Sequence, residues 1–215
     1  VEQEFTAGGL QLNTVDAFDH LRPRVEPDAG TGAIAVWEDY RNLASTSSLY
    51  AQRINSSGTA LWTSGGQRIA ASSSYQLGHQ IVADGSGGVM VFWAEDRSAS
   101  FPGRQIVGMR LDADGGTVGG PTTFLNNATG IYSLADVISD GSGGAILAYY
   151  QSDDSFLRAK RVDSSGSVTW TQQVSTNTAI SAAGTVHKRP YYVRMAVDTA
   201  NSYVFVAFTE AHSGA

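Results

Sequence analysis

An aspartate, three residues, a glycine and then an apolar run recur at a fixed interval, and no other feature limits the fold as tightly. Asp28 opens "DAGTGAIAVWED", Asp84 opens "DGSGGVMVFWAED" and Asp140 opens "DGSGGAILAYYQSD", the three aspartates standing 56 residues apart. A fainter copy, "DTANSYVFVAFTE", opens at Asp198, 58 residues after Asp140. An aromatic follows nine positions after each of the first three aspartates, at Trp37, Trp93 and Tyr149. In the fourth copy that match slips by one, to Phe208. Self-similarity at such a period marks a supersecondary unit that buries its apolar faces against neighbouring copies of itself.

A second block alternates with the first. "AQRINSSGTALW" (51–62), "GMRLDADGGTVG" (108–119) and "AKRVDSSGSVTW" (159–170) align on Arg53, Arg110 and Arg161 and on Gly58, Gly115 and Gly166. The tail "LWTSGGQRIA" (61–70) returns at the start of the chain as "EFTAGGLQLN" (4–13). Each unit then reads as four short strands: a short alternating segment such as "HQIVA", a continuous apolar strand such as "GVMVFW", a third such as "IVGMRLD", and a weaker last one. The apolar strand reads as buried on both faces. Asp-Gly and Asn/Asp-x-x-Gly are hairpin-turn chemistry, because glycine supplies the positive φ. Four antiparallel strands in about 50–56 residues predict an all-β chain of β-propeller blades, either a four-bladed ring or part of a larger propeller. The expected division is a partial blade at 1–21, blades at 22–77, 78–133 and 134–190, and a partial blade at 191–215.

Composition agrees and removes several functions. With 24 glycines, 42% hydrophobic and 16% charged residues, the chain fits a turn-rich β protein with a real core. Its net charge of −6, with 14 scattered cations, argues against nucleic acid. Lys160 and Lys188 are the only lysines, so no polybasic membrane patch can form. No apolar run reaches the roughly 18 residues of a membrane span, so no membrane insertion is expected. The absence of cysteine excludes disulfides, thiolate metal sites and thiol catalysis.

Taken together, Asp-Gly-Ser-Gly-Gly-Ala, the strand ending Trp-Glu-Asp-x-Arg, and Tyr-Ala-Gln-Arg-x-Asn-x-x-Gly-x-x-x-Trp resemble the propeller-type repeats of large secreted or cell-surface bacterial proteins. The resemblance covers residues 22 to about 209. It implies an extracellular or cell-surface setting and does not imply a particular activity.

In a four-stranded meander, alternate turns fall at opposite ends. "WEDYR" (37–41) and "WAEDR" (93–97) therefore finish strands at the end that carries the longer loops, including 41–48, 97–105 and 181–192. Binding residues are expected at that end: Trp37, Asp39 and Arg41, then Trp93, Asp96 and Arg97, then Tyr149 and Asp153, with Arg189 and Tyr191 from the last loop. A second reading makes the aromatics wedge filler between sheets, and makes Glu38, Asp39, Asp96, Arg41 and Arg97 structural ion pairs that pin each loop.

Other chemistry is weaker. "VDSSGSVTW" (162–170) and "INSSGTALW" (54–62) resemble the Asp-box of sialidases, but the acidic or amide residue stands three positions before the glycine rather than two. No carboxylate pair is singled out for glycoside hydrolysis. Asp112 and Asp114 match the opening of a calcium loop without its later ligands, so calcium is the one cofactor considered. His20, His79, His187 and His212 lack metal-site spacing and are expected in loops or at strand starts. The sequence therefore predicts an extracellular module with a structural, assembly or adhesive role. Its partners would be other protein chains, copies of itself joined through open blade edges, or a glycan. A sialidase-like hydrolase is the alternative, and catalysis is not expected.

Overall fold

The computed structural model describes residues 11–13, 19–41, 47–70, 74–96, 104–126, 132–151, 156–175 and 192–208. Three four-stranded antiparallel sheets and one hairpin follow each other along the chain. The first sheet runs β1 (His20–Pro27), β2 (Ala33–Asp39), β3 (Ser48–Ile54) and β4 (Gln67–Arg68). The second holds β5 (Tyr75–Ala83), β6 (Val89–Asp96), β7 (Arg104–Leu111) and β8 (Thr117–Leu125). The third holds β9 (Tyr132–Ser139), β10 (Ala145–Gln151), β11 (Leu157–Val162) and β12 (Val168–Gln173). Strands β13 (Val193–Asp198) and β14 (Tyr203–Phe208) pair as a hairpin. In each sheet, neighbours in sequence are neighbours in space. Among the described residues no helix is long and apolar enough to cross a membrane.

The repeated aspartate makes each first turn. Asp84 Oδ1 accepts the backbone N–H groups of Ser86 and Gly88, at 2.7 and 2.9 Å, and Asp140 Oδ1 does the same for Ser142 and Gly144, at 2.7 and 2.8 Å. Asp28 Oδ1 holds Gly30 and Gly32, both at 2.9 Å. The closing glycine is sterically required. A Cβ at Gly32 would lie 2.1 Å from the Ile54 carbonyl oxygen, and one at Gly88 would lie 2.1 Å from that of Leu111.

Alternation along the second strands explains the layering. In β6, Val89, Val91 and Trp93 join a core with Ile34, Val36, Leu49 and Ala51 of the first sheet. Met90, Phe92 and Ala94, on the opposite face, join a core with Ala145, Leu147 and Tyr149 of the third. Ile146, Ala148 and Tyr150 then turn to Val193 and Met195 of the hairpin. All six β6 residues from Val89 to Ala94 are buried, as expected for a strand packed on both faces.

The fourth unit keeps this order despite its longer turn. Residues 199–202 form the turn, with Ser202 at φ 60°. One extra residue relative to the other copies brings Val204, Val206 and Phe208 onto the third sheet, in the places of Ala145, Leu147 and Tyr149. The slip in the aromatic spacing is thus absorbed in the turn rather than in the strand.

First strands meet side by side: β1 packs on β5, β5 on β9 and β9 on β13. No comparable contact links the fourth strands among the described residues. The first strands β1, β5 and β9, but not β13, pair with their neighbours through a register shift, between Leu21 and Arg24, between Leu77 and Gln80, and opposite Ala148 and Tyr149. Such bulges bend a strand and redirect its side chains.

Candidate functional site

The end of β2 is the most elaborate cluster. Because successive side chains alternate, Glu38 and Asp39 leave the strand on opposite faces and do different work. Asp39, 1% exposed, is a local hub. It accepts the Trp37 indole N–H at 3.0 Å, and the Arg41 backbone N–H and Nε at 2.9 Å. His20 Nε2 lies 3.2 Å from Asp39 Oδ2, close enough for an ion pair but off the angle of a hydrogen bond. Arg41 then spans the Tyr50 ring, 4.2 Å from its centroid, and donates to the Gly65 carbonyl at 2.9 Å. Trp37 stacks on Tyr50 with centroids 6.3 Å apart. Gly66 sits beneath that indole at φ 84°, where a Cβ would come 2.4 Å from Trp37 Cη2. Burial pushes the Asp39 carboxyl pKa up, but hydrogen bonds from Arg41 and Trp37 outweigh it and hold the group below the usual range.

Glu38, fully buried, reaches the second sheet. It accepts from Arg22 Nη1 and from the backbone N–H of Gly78, both at 2.8 Å. His79 Nδ1 lies 3.8 Å from Glu38 Oε1, and His79 Nε2 is 3.1 Å from the Val36 carbonyl oxygen. Desolvation raises the Glu38 pKa, and the contacts with His79, Gly78 and Arg22 more than reverse it. His79 is therefore neither a loop residue nor at a strand start. It lies inside β5, fully buried, where the bulge at Leu77 to Gln80 turns it toward β2.

The second unit repeats the aromatic but not this network. Trp93 is fully buried among the apolar residues between the first two sheets, and its indole N–H has no hydrogen-bond partner among the described residues. Ala94 stands where Glu38 stands, and Glu95 where Asp39 stands. Asp96, the acidic residue singled out by the motif, pairs through its backbone with Arg104. In the third unit Tyr149 is buried between the second and third sheets, with Lys160 Nζ 5.9 Å from its ring centroid. Lys160 donates to the Phe124 carbonyl at 3.0 Å, which ties those sheets together, and burial lowers its pKa. Trp93 and Tyr149 thus occupy separate interlayer cores, and Trp37 lies on the face of the first sheet turned away from the second. The structure does not bring the three aromatics into one site. Arg97, Asp153, Arg189 and Tyr191 lie outside the described residues.

Leucines of three successive first strands do converge, two at the same place in the repeat and the third one place further along. Leu21, Leu77 and Leu134, from the bulged parts of β1, β5 and β9, line one open depression together with Arg22, Tyr40, Gly78 and Ala94. Its volume is about 410 Å³. These leucines lie at the boundaries between units and carry no motif of their own, so nothing in the sequence pattern marks them.

Sequence alignment exposes both halves of a second constellation without pairing them. Asp28 Oδ2 accepts Arg53 Nε at 2.9 Å, Asp84 Oδ2 accepts Arg110 Nε at 2.7 Å, and Asp140 Oδ2 accepts Arg161 Nε at 2.9 Å. Arg53 also donates to the Ala113 carbonyl of the next sheet at 2.8 Å, and Arg110 reaches the Ser164 carbonyl at 3.4 Å. Each clasp therefore closes its own first turn and, in these two cases, grips the third turn of the following unit. Burial raises the pKa of all three aspartates, and the arginine and turn N–H groups lower it further than burial raises it.

The calcium candidate belongs to this turn chemistry. Asp112 Oδ1 accepts the N–H groups of Asp114 and Gly116, at 2.9 and 2.7 Å, as Asp163 does for Ser165 and Ser167 at 2.9 and 3.0 Å. Among the described residues no group of three or more His, Cys, Asp or Glu side chains is placed to hold a metal ion. Compared with known proteins, the chain matches no family model and no curated sequence.

Proposed function

We propose that the chain is a segment of a β-propeller that works as an extracellular structural and adhesive module. The observation that carries this reading is that Leu21 and Leu77, at the same place in β1 and β5, and Leu134, one place further along β9, line one depression, as sheets fanned around a common axis would bring them. Contacts between successive first strands support the same arrangement. The depression is lined by leucine, alanine and glycine together with Arg22 and Tyr40, a mixture that suits a shallow contact with a protein loop or a glycan. The extracellular setting rests on the repeat resemblance.

The hydrolase alternative draws little support from the buried carboxylates. Glu38 and Asp39 are held below the ordinary carboxylate range by donors from within the chain, whereas a catalytic acid needs its pKa raised. A glycan array, run beside fluorogenic glycosides, tests the reading. Binding that is lost in Leu77→Glu, without turnover of any glycoside, is the expected result. Turnover by the wild-type chain overturns it.

A further inference from the structure

A second cavity lies at the turn end of the molecule, away from the leucine depression, between the second sheet and the third turn of the third unit. Its volume is about 110 Å³, with Met90, Gly108, Thr122 and Phe124 on one side and Ser164 and Ser165 on the other. The same place between the first and second sheets is taken by a side chain. Trp62 packs there on the core of those sheets, and its Nε1 donates to the Ala113 carbonyl of the next third turn at 3.2 Å. Arg53 Nη1 donates to that same carbonyl at 2.8 Å. In the third unit Trp170, paired with Arg161 across the sheet, packs on the core shared with the hairpin.

The second unit departs from this rule. The residue aligned with Trp62 and Trp170 is Gly119, and the residue paired with Arg110 is Val118, 47% exposed. Beyond Val118, residues 119–121 bulge opposite Met109 alone, with Gly119 at φ 77°. Phe92, Gly108 and Thr122 pair across the sheet and share the face turned to the third unit, so the middle of that row carries no side chain. The carbonyl equivalent to that of Ala113 belongs to Ser164, and it accepts Arg110 Nη1 at a longer 3.4 Å. None of the chain's four tryptophans, Trp37, Trp62, Trp93 and Trp170, lines the cavity.

We propose that this cavity binds the indole side chain of a tryptophan presented by a partner polypeptide, its N–H donating to the Ser164 carbonyl as that of Trp62 does to Ala113. The volume is below the roughly 150 Å³ of an apolar cavity that takes up benzene. One edge of the indole is therefore enclosed while the rest stays at the opening, as Trp62 is itself only partly buried. Among the described strands β8 pairs with β7 alone, and an extended peptide laid along that edge points alternate side chains toward the opening. The site goes beyond the propeller reading and needs only the packing of the second sheet against the third unit.

A ligand-observed NMR titration of the whole chain tests it, with the blocked tripeptide threonyl-tryptophyl-threonine amide as probe. Saturable, single-site binding is expected. The benzothienylalanine analogue, which replaces the indole N–H by sulfur, should bind about 3–10-fold more weakly. Val118→Trp sets an indole beside Arg110 as Trp170 stands beside Arg161, and should abolish binding while melting at or above the wild-type temperature. Should it melt lower, Thr122→Trp takes its place, since Thr122 is exposed on the same face. Absence of saturable binding overturns the proposal. So does unchanged affinity in the folded variant, or equal affinity for the two tripeptides. Free indole that binds as tightly as the tripeptide overturns the assignment to a partner polypeptide.

Discussion

The ends of β2 and β6 answer to the same stretch of sequence and have opposite interiors. At β2, a tryptophan, two carboxylates, two arginines and two histidines form a hydrogen-bonded and ion-paired network at the strand end. At β6, the tryptophan lies among aliphatic side chains with its N–H unpaired among the described residues, and alanine replaces the glutamate that reaches the next sheet. The difference shows that the aromatic position belongs to the repeat, while the charged residues around it are particular to one unit. One junction is pinned by Glu38, the next by Lys160, and the third by the Asp136 carboxylate accepting the Met195 N–H at 2.8 Å.

The largest expected effect breaks the apolar side of the comparison. Trp93→Ala should destabilise by about 4 kcal/mol, since it leaves a large void in a closed core; urea unfolding followed by fluorescence or circular dichroism measures it. Glu38→Ala should cost about 1–2 kcal/mol by removing the acceptor of the Gly78 N–H and of the largely exposed Arg22. The equivalent position in β6 is already alanine, so this change makes one junction resemble the other.

The same carboxylates set an acid limit. Asp28, Glu38, Asp39, Asp84 and Asp140 all have folded-state pKa values below their ordinary ones. Their contribution is complete above the unfolded carboxylate values of about 4 and is lost as pH falls through the lower folded values. Melting temperature should therefore drop on acidification below about pH 4, and Glu38→Gln should flatten that drop. An unchanged slope in Glu38→Gln would remove Glu38 from the account.

A finer contrast comes from Trp37→Phe and Trp93→Phe. The first loses the hydrogen bond to Asp39 and the second loses none, so Trp37→Phe should be worse by about 1 kcal/mol in paired unfolding curves. The smallest effect compares the first turns. Ala29 sits at φ 61°, where the second and third copies have Gly85 and Gly141 at 73° and 77°. Ala29→Gly relieves left-handed strain and should stabilise by about 0.5 kcal/mol after the entropy cost of glycine; the same unfolding curves measure it.

The chain itself determined the period, the four strands of each unit, the turn at each repeated aspartate and the two-sided burial of the second strands. These follow from local rules: alternation, turn geometry and the space that a missing Cβ leaves. The one-residue slip at Phe208 was legible for the same reason, because a strand must keep its inward face. Tertiary structure decided what each polar residue touches. The clasps from Asp28 to Arg53 and from Asp84 to Arg110 join aligned blocks 25 and 26 residues apart, and alignment alone carries no pairing between blocks. His79 is spaced like a solitary surface histidine, and only the β5 bulge brings it to Glu38. Exposure is likewise a property of neighbours: Val25 and Ile81 occupy the same place in their strands, the first exposed and the second buried against another sheet.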